Sequence, residues 1–189
     1  MTPFLLHLLR HGAPDVPGLM LGHTDAAPSA AGIAACVARA VGLEFDAAIA
    51  SDLRRTCDAA RAIADARAML LAIDPRWREL DFGTWDGLVP AEIDAAALGR
   101  FWADPDTDPP PGGERWSSLR ARVAAALRDL ASLPTLIVTH GGAIRAALAE
   151  LCGFDHAQLW AFELPYASLL TLRVWPGETP SAQIVGLRA

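Results

Sequence analysis

The chain has 189 residues, of which 52% are hydrophobic and 20% are charged, and this composition predicts one folded domain spanning residues 1–189. The formal net charge of -6 argues against nucleic acid as a main partner, because binding to a phosphate backbone normally requires a surplus of basic residues. Three widely separated cysteines without a C-x-x-C pair fit neither a disulfide framework nor a zinc ribbon, and they indicate a reducing, cytoplasmic environment.

The first apolar run, Phe4 to Leu9, predicts a strand that is buried on both faces. It is too short to span a membrane and lacks the basic region and cleavage site of a signal peptide, so no membrane association is expected. Hydrophobic spacing then predicts, in chain order, a helix over 29–41, a strand over 46–50, a helix from Ser51 or Asp52 to about Arg67, and a strand over 69–73.

Residues 74–116 form an irregular excursion from this pattern, in which prolines and a Gly-Gly pair allow at most short helices. Regular elements resume with a helix over 117–133, a strand over 135–139, a helix over 143–151, and strands over 168–175 and 182–187 that could pair as a hairpin. Strands that alternate with helices predict an α/β sandwich with a mostly parallel sheet.

Polar residues cluster where three of the predicted strands end, at 10–12, 51–55 and 140–142. Ligands of open α/β sheets bind outside the carboxyl ends of the strands, so we expect these clusters to converge. Two histidines and two or three arginines then form a cationic pocket on an acidic protein. Such a pocket indicates a small anionic ligand, and guanidinium groups match phosphate oxygens in pairs. The glycines of the first and third clusters are expected to adopt unusual dihedral angles and to let backbone N–H groups approach that anion.

Four segments carry a resemblance to a known family. They read Leu-Arg-His-Gly at 9–12, Ser-Asp-Leu-Arg-Arg at 51–55, Glu-Leu-Asp-Phe-Gly-Thr-Trp-Asp-Gly at 79–87 and Val-Thr-His-Gly-Gly at 138–142. In this order they resemble the signature blocks of the histidine phosphatase superfamily. The resemblance implies a phosphoglycerate mutase-like fold, a three-layer α/β/α sandwich with a mostly parallel central sheet, whose excursion at 74–116 borders the active site. It also implies a phosphomonoesterase that uses no metal and no organic cofactor.

The resemblance assigns roles by position. His11 resembles the nucleophile, whose neutral imidazole attacks phosphorus and becomes a phosphohistidine. Glu79 resembles the general acid and base, and His140 resembles the second pocket histidine, which acts as a cation or as a hydrogen-bond donor. Arg10 and Arg55 resemble the arginines that bind the phosphate oxygens. At the second of these positions, the spacing S-x-L-x-R favours Arg55 over the arginine before it.

The substrate implied by the resemblance is a small phosphorylated metabolite. Residues 101–105 and 109–114 look similar to the excursion of α-ribazole phosphatase-like members, so the leading substrate is α-ribazole 5'-phosphate of cobalamin nucleotide-loop assembly. The alternatives are a cofactor-dependent phosphoglycerate mutase, a broad-specificity sugar or nucleotide phosphatase, and a non-catalytic phospholigand-binding module. The short chain favours hydrolysis over the mutase reaction, and a homodimer is left open.

Residues outside the blocks receive mostly structural interpretations. A metallohydrolase is disfavoured because the arginines that accompany the histidines would repel a metal ion. Ala13-Pro14 stands where many relatives carry a hydroxyl side chain near the phosphate, and Thr24 is a candidate replacement. His7 is expected in the core or half-exposed, and His23 and His156 are expected on loops. The tryptophans expected at the substrate mouth are Trp85, Trp102 and Trp116.

Overall fold

Six strands form one sheet in the computed structural model, which describes residues 2–189. The strands are β1 (Phe4–Arg10), β2 (Ala47–Ala50), β3 (Leu71–Ile73), β4 (Thr135–Thr139), β5 (Leu169–Trp175) and β6 (Ser181–Arg188). Their order across the sheet is β3-β2-β4-β1-β5-β6. The first four in this order run parallel, whereas β5 and β6 are antiparallel to their neighbours and pair as the predicted hairpin. The prediction of a mostly parallel sheet is confirmed.

Helices cover both faces of this sheet. They are α1 (Ala30–Ala40), α2 (Arg54–Asp65), α3 (Ala95–Ala103), α4 (Trp116–Arg128), α5 (Gly141–Cys152) and α6 (His156–Leu159). Buried side chains of α1 and α2 form one apolar core with one face of the strands, and those of α4 and α5 form a second core with the other face. The layers are therefore helix, sheet and helix, as predicted.

Strand β1 shows why its sequence is apolar at nearly every position. Leu8 belongs to the core beneath α4 and α5, and Leu9 belongs to the core beneath α1 and α2. Both side chains are fully buried, and burial of a leucine stabilises the fold by about 1.5–3 kcal/mol. His7 lies in the same strand and is buried as well, with Nδ1 bonded to Thr171 Oγ1 at 3.0 Å and Nε2 to the Glu44 carbonyl at 3.2 Å. It is a core histidine, as expected.

Several predicted helix boundaries are wrong by a few residues. Helix α5 begins at Gly141 rather than 143, and α4 ends at Arg128 rather than 133. Neither Ser51 nor Asp52 caps α2; its N-cap is Leu53, which offers no side-chain acceptor. Asp25 supplies one instead, because its Oδ1 accepts the Arg54 N–H at 2.6 Å. A cap from a distant loop has no signal in the local sequence.

The excursion contains three turns of 3₁₀ helix, at Pro75–Trp77, Gly83–Trp85 and Pro90–Glu92, followed by α3. It is anchored to the second core through the buried residues Trp77, Leu80 and Phe101. Among the residues from 2 to 189, no helix is both long and apolar enough to cross a bilayer.

Candidate active site

The pairing of β1 with β4 brings the two predicted pocket histidines together. Arg10, the last residue of β1, lies opposite Thr139, the last residue of β4. The next residues along the two parallel strands are His11 and His140, and the His11 N–H donates to the Thr139 carbonyl at 2.9 Å. The two imidazole rings therefore lie edge to face with their centroids 5.2 Å apart. Register alone explains how positions 129 residues apart meet.

His11 is held as a neutral imidazole in one tautomer. Its Nδ1 lies 2.8 Å from the Gly12 carbonyl, which can only accept, so Nδ1 carries the proton and Nε2 carries the lone pair. Burial, reinforced by the guanidinium groups of Arg55 and Arg10, lowers the pKa of His11 to about 3. The ring is therefore neutral at neutral pH, as a nucleophile must be.

His140 is oriented by two hydroxyl groups behind it. Its Nε2 lies 2.8 Å from Ser51 Oγ, which in turn lies 2.6 Å from Thr56 Oγ1. The Nδ1 atom of His140 is buried and has no hydrogen-bond partner among the residues that the structure describes. Burial, with Arg55 as the next cause, lowers the pKa of His140 well below its usual value. A neutral ring suits the expected role of hydrogen-bond donor and disfavours that of a cation.

Arg10 and Arg55 supply positive charge near the two histidines. Arg10 donates to the Leu164 carbonyl and lies over the Tyr166 ring at 4.5 Å. Arg55 is fully buried and, among residues 2–189, donates only to backbone carbonyls. Within the described chain, neither guanidinium has a carboxylate within 4 Å, and the Nε atom of each has no partner. Two cationic groups without a counter-charge, Arg55 fully buried and Arg10 half-buried, make this a site for an anion.

The neighbouring arginine does not enter this site. Arg54 is exposed and forms a surface ion pair with Asp58 at 3.8 Å. Of the two consecutive arginines at the start of α2, Arg55 is the one directed into the protein, in agreement with the preference that the spacing indicates.

Glu79 lies against the first turn of α5. Its Oε2 accepts the Gly142 N–H at 3.0 Å, and its Oε1 accepts the Leu80 N–H at 2.9 Å. Arg122 donates to the Glu79 carbonyl at 2.7 Å and fixes the backbone from the other side. The carboxylate is half-buried and lines the same cavity as His11.

The glycines do not adopt the expected dihedral angles, and two of them are required for close packing. The backbone at Gly12, Gly141 and Gly142 does not adopt positive φ angles. A Cβ at Gly142 would lie 2.0 Å from Glu79 Oε1, so this glycine makes room for the carboxylate. A Cβ at Gly12 would lie 2.0 Å from the Gly32 carbonyl oxygen, so that glycine allows α1 to approach β1 closely. Close approach, and not unusual dihedral angles, is the physical reason for both.

A cavity of about 280 Å³ opens beside His11, Arg10 and Glu79. Six aromatic side chains line it: Phe82, Phe101, Trp102, Trp116, Trp160 and Tyr166. The expectation for Trp85 is wrong, because Trp85 is buried and packs edge to face on Phe101 at 5.7 Å. Trp160 was not expected at the mouth, since it follows α6, an element too short to be recognised from spacing.

Two further residues line the cavity although the sequence does not predict them there. His156 is the first residue of α6 rather than part of a loop, and its Nε2 donates to the Trp102 carbonyl at 2.9 Å. Arg145 is nearly buried, donates to the Leu159 carbonyl at 3.0 Å and lies over the Trp160 ring at 4.1 Å. Burial lowers the pKa of Arg145 to about 10. Its sequence signal is one arginine within an otherwise apolar, buried run of α5.

Thr24 and His23 contact the site differently from the expectation. The Thr24 side chain is exposed, and it is the Thr24 carbonyl that accepts from Arg55, at 2.8 Å. His23 is half-buried, not solvated: its Nε2 donates to the Glu79 carbonyl at 3.1 Å, and its Nδ1 lies 3.6 Å from Asp81. The residues at 2–189 contain no cluster of three or more His, Cys, Asp or Glu side chains suited to a metal ion.

The family comparison agrees with this geometry. The model of the histidine phosphatase superfamily (branch 1) matches residues 6–185. The chain belongs to this superfamily. With named phosphatases among its relatives, it is a phosphoric monoester hydrolase, as the sequence predicts.

The chain is similar to several named relatives and solved structures. The chain is 33% identical over 165 residues to the glucosyl-3-phosphoglycerate phosphatase of Mycobacterium tuberculosis, with 77% of this chain and 74% of the relative covered. It is 32% identical to a probable phosphoglycerate mutase from an Enterobacter species, with 78% and 74% covered. The structure of a mycobacterial glucosyl-3-phosphoglycerate phosphatase in complex with VO3 superposes with a TM-score of 0.86 at 30% identity, over 98% and 99% of the two chains. A putative α-ribazole-5'-P phosphatase from Escherichia coli, at 24% identity and a TM-score of 0.84 over 100% and 97%, shares the fold.

Proposed function

We propose that this histidine phosphatase transfers the phosphoryl group of its substrate to His11. The lone pair of Nε2 attacks phosphorus while the bond from phosphorus to the leaving oxygen breaks, and a phosphohistidine forms. The observation that carries the proposal is the neutral His11, whose Nδ1 proton is bonded to Gly12, beside two guanidinium groups that lack counter-charges. Arg10, Arg55 and His140 hold the oxygens on which charge accumulates.

Glu79 completes the reaction as acid and then base. In its protonated form it donates to the departing oxygen, so that the leaving group departs as an alcohol. In the second half-reaction the carboxylate accepts a proton from water, whose oxygen attacks phosphorus as the bond to Nε2 breaks. Inorganic phosphate is released and both His11 and Glu79 return to their starting states. The hydrogen bonds from Gly142 and Leu80 support this role by holding the carboxylate at the cavity wall.

The chemistry is tested with p-nitrophenyl phosphate in the presence of EDTA. The wild-type enzyme is expected to remain active with the chelator, and His11→Ala is expected to lose activity at least about a thousandfold because the covalent route is closed. Substantial turnover by His11→Ala would contradict the proposal, as would loss of wild-type activity with EDTA.

For the substrate we propose α-ribazole 5'-phosphate first. The six aromatic side chains around the cavity support a leaving group with a flat, apolar ring, because such rings stack on aromatic faces. The similarity of residues 101–105 and 109–114 to the excursion of α-ribazole phosphatase-like proteins supports the same choice.

A second candidate is glucosyl-3-phosphoglycerate, the substrate in the name of a 33% identical relative. Arg145 favours it, because this nearly buried guanidinium lines the cavity and could bind a carboxylate of the leaving group. A broad-specificity sugar or nucleotide phosphatase and a primer-dependent phosphoglycerate mutase are the further alternatives.

One screen separates these substrates. Values of kcat/KM are measured for α-ribazole 5'-phosphate, glucosyl-3-phosphoglycerate, and a panel of sugar and nucleotide phosphates, and 3-phosphoglycerate is tested with and without a bisphosphoglycerate primer. A preference of about a hundredfold or more for α-ribazole 5'-phosphate is expected. A similar preference for another compound would identify that compound as the substrate in place of α-ribazole 5'-phosphate. Primer-dependent turnover of 3-phosphoglycerate would establish the mutase reaction.

A further inference from the structure

Residues 21–25, here called the cradle loop, surround the guanidinium of Arg55. The carbonyls of Leu21 and Thr24 accept from this guanidinium at 3.1 and 2.8 Å, and the Gly22 carbonyl accepts a third hydrogen bond. The Arg55 side chain is fully buried and has no carboxylate partner within the described chain. The position of the cradle loop therefore decides the direction in which the free Nε atom of Arg55 points.

One carboxylate holds the cradle loop from the opposite side. Asp86 Oδ1 accepts the N–H of Gly22 at 2.9 Å, and Oδ2 accepts the N–H groups of His23 and Thr24 at 2.7 and 2.8 Å. Three consecutive backbone donors thus converge on one negative charge, and hydrogen bonds to a charged acceptor are the strong ones. Asp86 lies in the signature block at 79–87, and the resemblance assigns a part in the reaction to Glu79 but not to Asp86.

The contact between Asp86 and the cradle loop is reinforced on both flanks. Met20 N–H donates to the Leu88 carbonyl, and Gly87 N–H donates to the Met20 carbonyl, both at 2.8 Å. At Gly22 a Cβ atom would lie 2.5 Å from the Leu80 carbonyl oxygen, so the loop is pressed against the segment that bears the catalytic carboxylate. The cradle loop therefore cannot shift without disturbing its contacts with Asp86 and with the segment that bears Glu79.

We infer that Asp86 is a positioning residue for phosphoryl transfer: by holding the N–H groups of residues 22–24, its carboxylate aims the Arg55 guanidinium at the phosphoryl group. The inference rests on the proposed function, because Arg55 binds phosphate only in that reaction. Asp86 itself contacts no reacting atom and acts through the cradle loop.

A double-mutant cycle tests this inference. The variants Asp86→Asn, Arg55→Ala and their combination are assayed with p-nitrophenyl phosphate, and their affinities for inorganic phosphate are measured. Asp86→Asn keeps the shape but places an amide NH₂ against backbone donors, so kcat/KM is expected to fall about tenfold to a hundredfold and phosphate to bind more weakly. In the Arg55→Ala background the same change is expected to cost less than about threefold, because the group that it positions is gone.

The matched control is Asp94→Asn. Asp94 also accepts a backbone N–H, from Ala97 at 2.8 Å at the start of α3, but it does not contact the cradle loop. It is expected to keep kcat/KM within about twofold of wild type. Thermal unfolding of every variant is measured beside activity, because loss of stability alone would lower the activity in both Arg55 backgrounds equally.

Full additivity of the Asp86 and Arg55 effects would overturn the inference, and so would unchanged phosphate affinity in a folded Asp86→Asn variant. If Asp86→Asn does not fold, the same cycle with Asp86→Glu, which keeps the charge on a longer side chain, is expected to show the same non-additivity and overturns the inference if it does not. An Arg55→Ala variant with wild-type activity would instead contradict the role of Arg55 in the proposed function.

Discussion

At the scale of single residues, the site depends on hydrogen bonds that fix each imidazole. The Gly12 carbonyl selects the tautomer of His11, and the hydroxyl of Ser51 orients His140. The histidines are easier to infer from the sequence than the groups that orient them. The histidines stand in recognisable motifs, whereas the bond from Ser51 to His140 joins positions 89 apart and depends on the sheet register.

Ser51→Ala is expected to lower kcat by about tenfold to a hundredfold with little change in KM, because His140 loses the group that orients it while the phosphate-binding arginines remain. Ser118→Ala, which removes an exposed hydroxyl on α4, is the control and is expected to leave both constants unchanged. Steady-state kinetics of both variants measure kcat and KM. A Ser51→Ala enzyme with wild-type kcat would show that the hydroxyl does not position the ring.

At the scale of elements, the approach of helices to strand ends explains the glycines of the site. Their presence in the motifs is visible in the sequence, but the physical reason for it is not. The motifs predict unusual dihedral angles, whereas Gly142 leaves space for Glu79 and Gly12 leaves space for Gly32. The strands were predictable because Leu6, Leu8 and Leu9 must be buried on two faces. The cap of α2 was not, because its acceptor comes from Asp25 in a distant loop, and α6 was not, because four residues are too few to show helical spacing.

Gly142→Ala and Gly12→Ala are expected to fail in different ways. The new methyl group at 142 meets the end of the Glu79 side chain, so the fold should persist while kcat falls about a hundredfold or more. At 12 it meets the Gly32 backbone, which cannot move cheaply, so the melting temperature should fall instead. Gly99→Ala, in α3 with open space around it, is the control and should stabilise the protein by about 0.5–1 kcal/mol. Equal melting temperatures for the Gly12 and Gly142 variants would contradict this distinction.

At the scale of the whole molecule, an acidic chain concentrates cationic groups around buried histidines. The composition predicts that any anion must be held by a local cluster, and Arg10 and Arg55 form such a cluster at the carboxyl edge of the sheet. The aromatic wall of the cavity was only partly predictable, because Trp160 reaches it from a segment that the sequence pattern does not mark as part of the site.

Buried histidines also make stability depend on pH. Burial lowers the pKa of His7, His11 and His140 in the folded state below the unfolded value of about 6.5, to about 3 for His11. The unfolded chain therefore binds more protons, and the free energy of unfolding should fall as pH decreases below about 6.5. For His11 the fall should be about 1.4 kcal/mol per pH unit and should continue to about pH 3. Urea unfolding between pH 7 and pH 4 measures this slope. For His11→Ala, the slope of the unfolding free energy against pH should be smaller by the contribution of one proton. An unchanged slope would contradict the lowered pKa of His11.

The most direct measurement is the identification of the phosphorylated residue. Enzyme mixed with p-nitrophenyl phosphate and quenched rapidly in base should carry one acid-labile phosphoryl group, and mass spectrometry of its peptides should place that group on His11. A Glu79→Gln variant should accumulate more of it if the attack of water becomes limiting. Phosphorylation at another residue, or rapid turnover with no phosphoenzyme at any quench time and in either enzyme, would contradict phosphoryl transfer through His11.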